Sequence, residues 1–549
     1  MAMRKAPTTR RTRRVRCAVP GKELPESYVD RPAAPKGRRR RAGVLLHPTS
    51  LPGEGGIGTV GAHARRFVDF LSSAGMSAWQ MLPLVPPDTV YHSPYSGEDA
   101  NCGNVMLIDL ESLVGVGLLE AKEVDKALKQ WNWQWKASKK ADFEGAEKAK
   151  RPLLDKAARN LREGKGMEQL LEEYKAFRAR EDISPWLEES ALFAALKGRE
   201  ELKELFWWEW PEALRDRHPD ALKQVREEEA EAIDQFVSLQ FLFDMQWQDL
   251  KRYANEKGIS LVGDMPIYVG GHSADVWANR GLWELREDGT PAQVSGVPPD
   301  AFSKTGQLWG SPLYHWPSHE EEGYKWWAQR LGRALQLYDE LRIDHFRGFA
   351  GYWAVDADQE TAMVGSWRAG PGKGMFDSLK EQLGDFNIIA EDLGVITQDV
   401  VDLREAIEAP GMAVLQFAWG GSADNPHLSH NHYENCVVYP ATHDNETTVG
   451  WFKRIPSEEK GKVLAYLGTS GKDIAWDFIR ASMSSVADLS IFLMQDVMRL
   501  DNSARMNTPG IAEGNWAWRM GNTKIWRKLE RQAEELRRLA EITGRLPSN

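Results

Sequence analysis

Four acidic residues end or follow short apolar runs of the sequence, in positions where they are able to do chemistry together. Apolar runs of this length are typical of buried parallel strands, whose carboxyl ends meet at one rim of a barrel. An acid at a strand end can instead cap the following helix, and that structural role fits any single one of the four equally well. The four together, with Arg and His among them, indicate a reactive site. They are Asp264, Asp344, Glu391 and Asp444.

Arg342 lies two positions before Asp344. Residues two apart on a strand point to the same side, so both side chains are expected at the barrel mouth. A guanidinium beside the carboxyl group would lower the pKa of Asp344 and keep it ionised. A retaining glycosidic reaction needs one ionised carboxylate to attack the anomeric carbon and a second, of raised pKa, to protonate the departing oxygen.

The aromatic composition suits a sugar ligand, because the 23 Trp outnumber the 18 Phe and the 13 Tyr. Aromatic rings stack on the apolar faces of sugars, although most of the Trp residues, such as Trp326 and Trp327, are expected in the core. Trp309, in the Gly-flanked sequence GQLWGSP, is the least suited to a core. The other aromatic residues with a predicted sugar-stacking role lie, like Trp309, between residues 270 and 317, and they are Trp277, Trp283, Tyr314 and Trp316.

Eight short apolar runs alternate with helical patterns such as 64–74 and 324–341, and this alternation predicts a (β/α)8 barrel. After the eighth run only about 50 residues follow, so no C-terminal β-sandwich domain is expected. The runs are 43–47, 79–85, 259–264, 341–346, 387–391, 413–418, 436–439 and 489–497.

Two long segments interrupt the predicted barrel, which spans residues 41–549. Residues 110–257 or thereabouts are rich in Lys, Glu, Ala, Leu and Trp, and they predict a helical insertion because straight-chain residues and Ala are the best helix formers. The alternatives are a separate helical domain or a coiled coil, but no heptad pattern is sustained. Residues 270–317 or thereabouts are rich in Gly, Pro and Trp, and are predicted to be largely loop and functional.

The N-terminal arm differs in charge from the rest of the chain. Residues 1–41 hold 14 Lys and Arg against 3 acids, and residues 42–549 hold 56 against 77, so the net charge of −10 averages two unlike parts. Residues 1–20 have seven basic residues, no acid and no apolar stretch of a secretory signal, which predicts an organelle transit peptide within residues 1–40. A solvated basic tail, or a nuclear or nucleic-acid-binding cluster at 38–41, is the alternative.

The sequence lacks the features that are typical of membrane, disulfide-rich, metal-binding, nucleotide-binding and nucleic-acid-binding proteins. No window of about 18 uncharged apolar residues predicts a membrane span. The three Cys have no CxxC spacing and the His residues no spacing such as HExxH, so neither a disulfide framework nor a metal is expected. The Gly-rich stretch 53–58 lacks the Lys-Ser/Thr of a P-loop, so no nucleotide cofactor is expected. An acidic body would repel phosphates, so no nucleic-acid partner is expected.

The residues singled out above lie in longer stretches that resemble the 4-alpha-glucanotransferases, the amylomaltases or disproportionating enzymes of the alpha-amylase clan. The resemblance is specific, because several long motifs agree in content and in order over residues 42–520. The matching stretches are HPTSLPGEGGIG (47–58), SPYSG (93–97), GDMPIYV (263–269), GQLWGSPLYHW (306–316), RIDHFRGF (342–349), IAEDLG (389–394) and THDNET (442–447).

The resemblance implies a role for each matching residue. Asp344 would be the nucleophile that forms a covalent glycosyl-enzyme, Glu391 the general acid/base, and Asp444 the third carboxylate, which holds sugar hydroxyls. This family often has Asn at the position of Ser311, where the chain departs from the pattern. The substrate-binding residues implied with the three carboxylates are Tyr95, Asp264, Trp309, Ser311, Arg342, His443 and Asn445.

The implied activity is the transfer of α-1,4-glucan segments between maltooligosaccharides and starch-derived glucans, with glucose as acceptor or product and without a cofactor or metal. The basic arm then indicates the plastid stroma, with the cytoplasm as the alternative location. An alpha-amylase-type hydrolase would use the same carboxylates, and a glucan-binding scaffold would keep the barrel without the chemistry. Products formed from maltotriose distinguish these functions, because only a transferase makes a ladder of longer chains.

Overall fold

The computed structural model describes residues 40–130, 138–299 and 303–547. The predicted transit segment, residues 1–40, therefore lies outside the described residues apart from Arg40. Strands in the described part of the chain are Arg41–Leu45 (β1), Ala78–Gln80 (β2), Ser260–Pro266 (β3), Gln293–Val297 (β4), Gln307–Pro312 (β5), Glu340–Asp344 (β6), Gly351–Asp356 (β7), Ser366–Ala369 (β8), Ile388–Ala390 (β9), Gly411–Val414 (β10), Cys436–Tyr439 (β11) and Leu489–Leu493 (β12).

Eight of these strands form one parallel sheet in the order β10-β11-β12-β1-β2-β3-β6-β9. Its two end strands are joined directly: the Ala390 N–H donates to the Pro410 carbonyl at 2.9 Å, and the Met412 N–H donates to Asp392 Oδ1 at 2.6 Å. The sheet therefore closes on itself, and the predicted (β/α)8 barrel is confirmed. Strands such as β11 and β12 are buried along their whole length, which explains their uninterrupted apolar sequences.

Helices cover the outside of the barrel, and their bounds lie within a few residues of the helical patterns in the sequence. The pattern at 64–74 corresponds to the helix Ala62–Ser73, and the pattern at 324–341 to the helix Lys325–Leu337. The other helices outside the 110–257 insertion are Ala274–Ala278, Trp316–Glu321, Gly372–Leu383, Gln398–Ala406, Thr448–Arg454, Ser457–Leu467, Ile474–Ser484, Met494–Val497 and Ile525–Ile542.

Three of the predicted apolar runs extend four or five residues beyond their strands. Strand β2 ends at Gln80 although the run continues to residue 85, and β10 ends at Val414, where a 3-10 turn over Leu415–Phe417 begins. Strand β12 ends at Leu493, and the helix Met494–Val497 follows at once. Most of these extra residues are buried although they are not in strands, and hydrophobicity records burial rather than strand pairing.

The described residues from Leu110 to the start of β3 are mostly helical. Its longest helix, Ala230–Glu256, packs against Phe143–Arg162 and Ser184–Lys197. The indole N–H of Trp247 on that helix donates to the Leu337 carbonyl at 2.8 Å, which ties the insertion to the barrel helix Lys325–Leu337. The insertion and the barrel thus share one hydrophobic core. The remaining helices here are Leu110–Gly115, Ala121–Lys129, Leu170–Arg178, Glu212–Arg215 and Pro219–Glu228.

A second, antiparallel sheet of order β5-β4-β7-β8 stands beside the barrel, and the sequence analysis did not predict it. Two of its strands, β4 and β5, lie inside the 270–317 segment, which was expected to be largely loop. Most residues of β5 and β8 are half-buried or exposed. Short strands that bury little apolar surface give no strong hydrophobic pattern, so only the pairing of β5 with β4 and of β8 with β7 reveals them.

The first described residues are held by the barrel. Arg41 begins β1 and makes a bidentate ion pair with Glu340 at 2.7 and 2.6 Å. Arg40 donates to the carbonyl oxygens of Thr543 at 2.6 Å and of Met483 at 2.8 Å. Both guanidinium groups of the 38–41 cluster that the structure describes are thus engaged within the protein. Across the described ranges, no helix is both long and apolar enough to cross a membrane.

Candidate active site

The carboxyl ends of four barrel strands bring the predicted acids to one rim. Asp264 lies in β3, Asp344 is the last residue of β6, and Glu391 directly follows β9. Asp444 lies in the turn after β11. Because all four strands are parallel, residues at these positions face the same cleft.

Arg342 connects two of these acids from inside the barrel. Its Nη1 donates to both carboxylate oxygens of Asp264, at 2.7 and 2.8 Å, and its Nη2 donates to Asp344 Oδ1 at 2.7 Å. Arg342 and Asp264 are both buried, so water screens their ion pair little. Each of these buried charges is therefore compensated by its charged partner in the protein rather than by water. Arg342 is therefore a fixed positive charge beneath Asp344.

Asp344 faces the cleft, with 31% of its side chain exposed. Burial raises the pKa of Asp344, Arg342 lowers it, and the nearby Asp264 and Asp444 raise it again, with a net upward shift. This direction differs from the sequence-based expectation, which considered Arg342 alone and neglected desolvation and the neighbouring acids. The guanidinium nevertheless contacts Asp344 and not Glu391, so negative charge in the pair is favoured on Asp344.

Glu391 is held on the other side of Asp344 by two backbone donors. Its Oε2 accepts from the His345 N–H at 2.8 Å and its Oε1 from the Leu393 N–H at 3.1 Å. Burial and then the charge of Asp344 raise the pKa of Glu391 to about 8. A carboxyl group of this pKa is protonated at neutral pH and is able to serve as a general acid.

His345 explains how the chain turns between these two acids. Its backbone is left-handed, with φ of 54°, which is uncommon for a residue other than Gly. The turn follows Asp344 immediately and directs the His345 N–H to Glu391. Strained backbone of this kind persists where the surroundings enforce it, and it is frequent at functional sites. No role was predicted for His345 from the sequence, although it lies within the RIDHFRGF motif.

Tyr95 and His443 form a stacked pair at the same rim. Their rings are nearly parallel, 7° apart, with centroids separated by 5.3 Å, and the ring of Trp516 lies 5.6 Å from that of Tyr95. The Tyr95 hydroxyl donates to Asp264 Oδ2 at 2.7 Å, so Tyr95 is connected to Arg342 through Asp264. Because His443 and Trp516 pack against the Tyr95 ring, only part of that ring is free to contact a sugar.

Asp444 is positioned by a loop about 60 residues further along the chain. Asn507 Nδ2 donates to Asp444 Oδ1 at 2.6 Å, and Arg505 Nη2 donates to the Asp444 carbonyl at 2.7 Å. His443 Nε2 lies 3.3 Å from the same Oδ1. Asn507 and Arg505 were not predicted from the sequence, because neither belongs to a motif and only the folded chain brings them to Asp444.

Asn445 holds the turn that carries Asp444. Its Oδ1 accepts from the Thr442 N–H at 2.8 Å and from the Thr442 hydroxyl at 2.9 Å. One end of the Asn445 amide is therefore committed to the turn rather than to a ligand.

Among the aromatic residues of the 270–317 segment, Trp309 differs from the rest. Its side chain is 40% exposed, and its ring meets that of His345 edge-on at a centroid distance of 4.7 Å. Ser311 follows two positions later on β5, so both side chains lie on the same face of that strand. By contrast, Trp277, Trp283 and Tyr314 are buried in the core, which makes their predicted sugar-stacking role wrong. Trp316 is half-buried, and it packs against Tyr314 and Trp327.

Comparisons with known proteins give a consistent result. Residues 46–524 match the family described as 4-alpha-glucanotransferase. The chain is 52% identical to the chloroplastic/amyloplastic 4-alpha-glucanotransferase of Oryza sativa subsp. japonica, over 96% of this chain and 87% of the relative. It is 42% identical to the 4-alpha-glucanotransferase of Thermus thermophilus, over 92% of this chain and 99% of the relative.

Among solved structures, the chain is similar to an amylomaltase from Streptococcus agalactiae in complex with acarbose. The TM-score is 0.86 at 35% identity, with 93% of this chain and all of that chain covered. An amylomaltase from Corynebacterium glutamicum has a TM-score of 0.74 at 18% identity, covering 92% of this chain and 75% of that chain, which supports the fold alone.

Proposed function

Because the chain belongs to the 4-alpha-glucanotransferase family, we propose that Asp344, Glu391 and Asp444 carry out its transfer reaction. The enzyme is a hexosyltransferase that acts on maltooligosaccharides and starch-derived glucans, and it is a plastid protein like its plant relatives. The geometry above supports the roles proposed for individual residues, and the composition of residues 1–40 supports the role proposed for the N-terminal arm.

In the first step, a carboxylate oxygen of Asp344 attacks C1 of an α-1,4-linked glucose unit while Glu391 donates its proton to the departing O4. The reducing-end fragment leaves, and the other fragment is held on Asp344 as a covalent ester. The observation that carries this proposal is the arrangement of charge: Arg342 is bonded to Asp344, whereas Glu391 has a pKa raised to about 8 and holds a proton.

In the second step, Glu391 changes from acid to base. Esterification of Asp344 removes the negative charge beside Glu391, so the pKa of Glu391 falls and the carboxylate is favoured. Glu391 then accepts the proton of an acceptor 4-OH, and the acceptor oxygen displaces Asp344 from C1. Two inversions at C1 leave a new α-1,4 bond in place of the old one.

The remaining residues of the rim bind and orient the sugar in this proposal. Asp444 accepts hydrogen bonds from sugar hydroxyls, held in place by Asn507, while His443 and Tyr95 line the same side. Trp309, exposed beside His345, offers an apolar ring to the acceptor, with Ser311 on the same strand face. A well-bound acceptor, such as glucose or a maltooligosaccharide, excludes water from C1 and favours transfer over hydrolysis.

The variant Asp344→Asn tests the nucleophile. With maltotriose as the only substrate, the wild type is expected to form a ladder of longer chains plus glucose, and the variant to lose that activity by roughly a thousandfold or more. The control is Asp377→Asn, which neutralises an exposed aspartate on the helix Gly372–Leu383. Ladder formation by Asp344→Asn at the control rate would refute the assignment. Maltose and glucose alone from the wild type would indicate a hydrolase.

The N-terminal arm, residues 1–40, is proposed as a plastid transit peptide. Arg41 pairs with Glu340 in the folded body, so cleavage at or before that point leaves the barrel intact. Import of the full chain into isolated chloroplasts, followed by mass spectrometry of the processed protein, tests this proposal. A processed N terminus beyond Arg41, or no processing, would contradict it.

A further inference from the structure

A polar cavity of about 210 Å³ lies apart from the catalytic rim. It opens between the helices Ser184–Lys197, Ala274–Ala278 and Lys325–Leu337. None of the residues proposed above to act on or bind the glucan lines it. The lining includes Asn101, Trp186, Asp275, Lys325, Trp326 and Gln329.

The cavity combines apolar walls with converging polar groups. Trp186 and Trp326 are largely buried, and they contribute indole surface from two different helices. Asp275 and Asn101 are also buried in the wall, and Asn101 Nδ2 donates to Asp275 Oδ1 at 3.3 Å. Apolar aromatic walls with a few fixed polar groups are the usual composition of small-molecule sites.

Some of the polar groups lack protein partners. Asn101 is 3% exposed, and its Oδ1 has no hydrogen-bond partner among the described residues, which is unusual for a buried oxygen. Lys325 and Gln329, one helical turn apart, line the cavity without a side-chain hydrogen bond to any described residue. The Lys325 ammonium, the Gln329 amide and the Asn101 carbonyl oxygen are therefore available to a ligand that both donates and accepts hydrogen bonds.

The charges of the lining favour a neutral ligand. The acidic lining residues are Asp275, Glu189 and Glu322, against the single ammonium of Lys325, so an anion such as a phosphate ester would be repelled. Glu189 is already paired with Arg217 at 2.6 Å, which leaves it little attraction for a cation. Burial and the nearby Asp99 raise the pKa of Asp275 to about 7, so this group too is only partly charged near neutral pH.

We propose that this cavity binds one neutral hexose unit, separately from the catalytic site. The volume suits a single pyranose ring, the indole surfaces suit its C–H faces, and the amide, ammonium and carboxyl groups suit its hydroxyls. The proposal takes its ligand class from the glucans of the proposed function. The hexose is either a free monosaccharide or the terminal unit of a glucan chain, since both present the same ring.

Equilibrium dialysis with radiolabelled glucose tests the proposal. The wild type is expected to bind two glucose molecules per chain, one at the catalytic site and one in the cavity. Ala278→Trp places an indole in the cavity mouth and is expected to bind one. Ala179→Trp, which adds the same side chain at an exposed position after the helix Leu170–Arg178, is expected to bind two. Equal numbers of sites in the wild type and Ala278→Trp would overturn the proposal.

A second variant tests the proposal even if Ala278→Trp does not fold. Gln329→Ala removes an amide without filling the cavity, and it is expected to weaken the second site by about five- to tenfold while the first is unchanged. Unchanged affinity at both sites would also overturn the proposal. Ladder formation from maltotriose is measured in parallel, since its absence in the wild type would contradict the proposed function without affecting the count of sites.

The two sources of the hexose are separated in Asp344→Asn, which is not expected to consume its donor. Displacement of cavity-bound glucose by maltotriose indicates the terminal unit of a glucan, and retention of glucose indicates a free monosaccharide. Displacement and retention both presuppose that glucose is bound in the cavity, so the equilibrium dialysis is done first.

Discussion

The two sides of the catalytic rim are built differently. On one side, Asp264, Arg342 and Asp344 stand on neighbouring strands of the barrel, with Glu391 directly after the next one. Two other residues, Asp444 and Trp309, stand on segments outside the barrel sheet, a turn after β11 and the edge strand β5, and together they are called the loop side. Asp444 and Trp309 are 39% and 40% exposed, whereas Arg342 and Asp264 are almost wholly buried.

This difference separates two physical tasks. Two neighbouring carboxyl groups acquire different pKa values when they lie in surroundings of low dielectric constant and beside fixed charged partners. The closed barrel sheet supplies both conditions. Groups that hold a polymeric substrate must be reachable and able to adjust, which turns and edge strands allow. If the comparison is right, substitutions on the barrel side change chemistry, and substitutions on the loop side change mainly sugar binding and the fate of the glycosyl-enzyme.

After Asp344→Asn, the largest effect is expected on the barrel side, from Glu391→Gln. The variant keeps the shape of the side chain but has no proton to donate, so kcat for maltotriose is expected to fall by about a hundredfold to ten-thousandfold. In the wild type, kcat/KM is expected to decline above about pH 8, where Glu391 ionises. This basic limb should be absent from the residual activity of the variant, and a retained limb would assign it to another group.

The same variant has an expected effect on stability. The folded-state pKa of Glu391 is raised from 4.5 to about 8, so its neutral form favours folding, and this contribution is lost as the pH rises from about 4.5 through 8. A Gln at this position cannot ionise. Glu391→Gln is therefore expected to gain in Tm relative to the wild type as the pH increases from 5 to 8, as thermal unfolding would show. A Tm difference that does not vary with pH would contradict the burial argument.

An intermediate effect is expected from Asn507→Ala on the loop side. Hydrogen bonds to charged groups contribute about 1.5–3 kcal/mol, so loss of the bond to Asp444 is expected to lower kcat/KM by about ten- to a hundredfold. Asn522→Ala, at an exposed Asn that accepts from the Lys524 N–H, is the matched control. Equal activities of the two variants would show that Asp444 is positioned without Asn507.

The smallest effect is expected from Trp309→Ala. Its exposed ring contributes little to the core, so the Tm is expected to change by only a few degrees, while the ratio of hydrolysis to transfer rises severalfold as acceptor contact is lost. Trp367→Ala is a close control, because Trp367 is 46% exposed on β8, at the opposite edge of the same sheet. A similar product ratio in both variants would remove Trp309 from the acceptor side.

The barrel side was predictable from sequence to a large extent. Buried parallel strands need continuous apolar runs, and an acid that interrupts such a run, as Asp344 does, is conspicuous. The antiparallel sheet was not predictable, because β5 and β8 are short and bury little apolar surface. Burial also decided which aromatic residues are able to contact a sugar. Trp283 is packed against Trp326, whereas Trp309 is exposed. In the sequence, only the Gly residues that flank Trp309 distinguished the two.

By itself, the sequence determined which residues are able to react, since side-chain chemistry and strand spacing are local properties. Only the tertiary structure decided how they act together. The pKa of Asp344 depends on desolvation and on Asp264 and Asp444 as well as on Arg342, and Asp444 is fixed by an Asn that lies 63 residues away along the chain. The pKa shifts of these acids, and the contacts that position them, depend on distances in space. No single sequence motif records those distances.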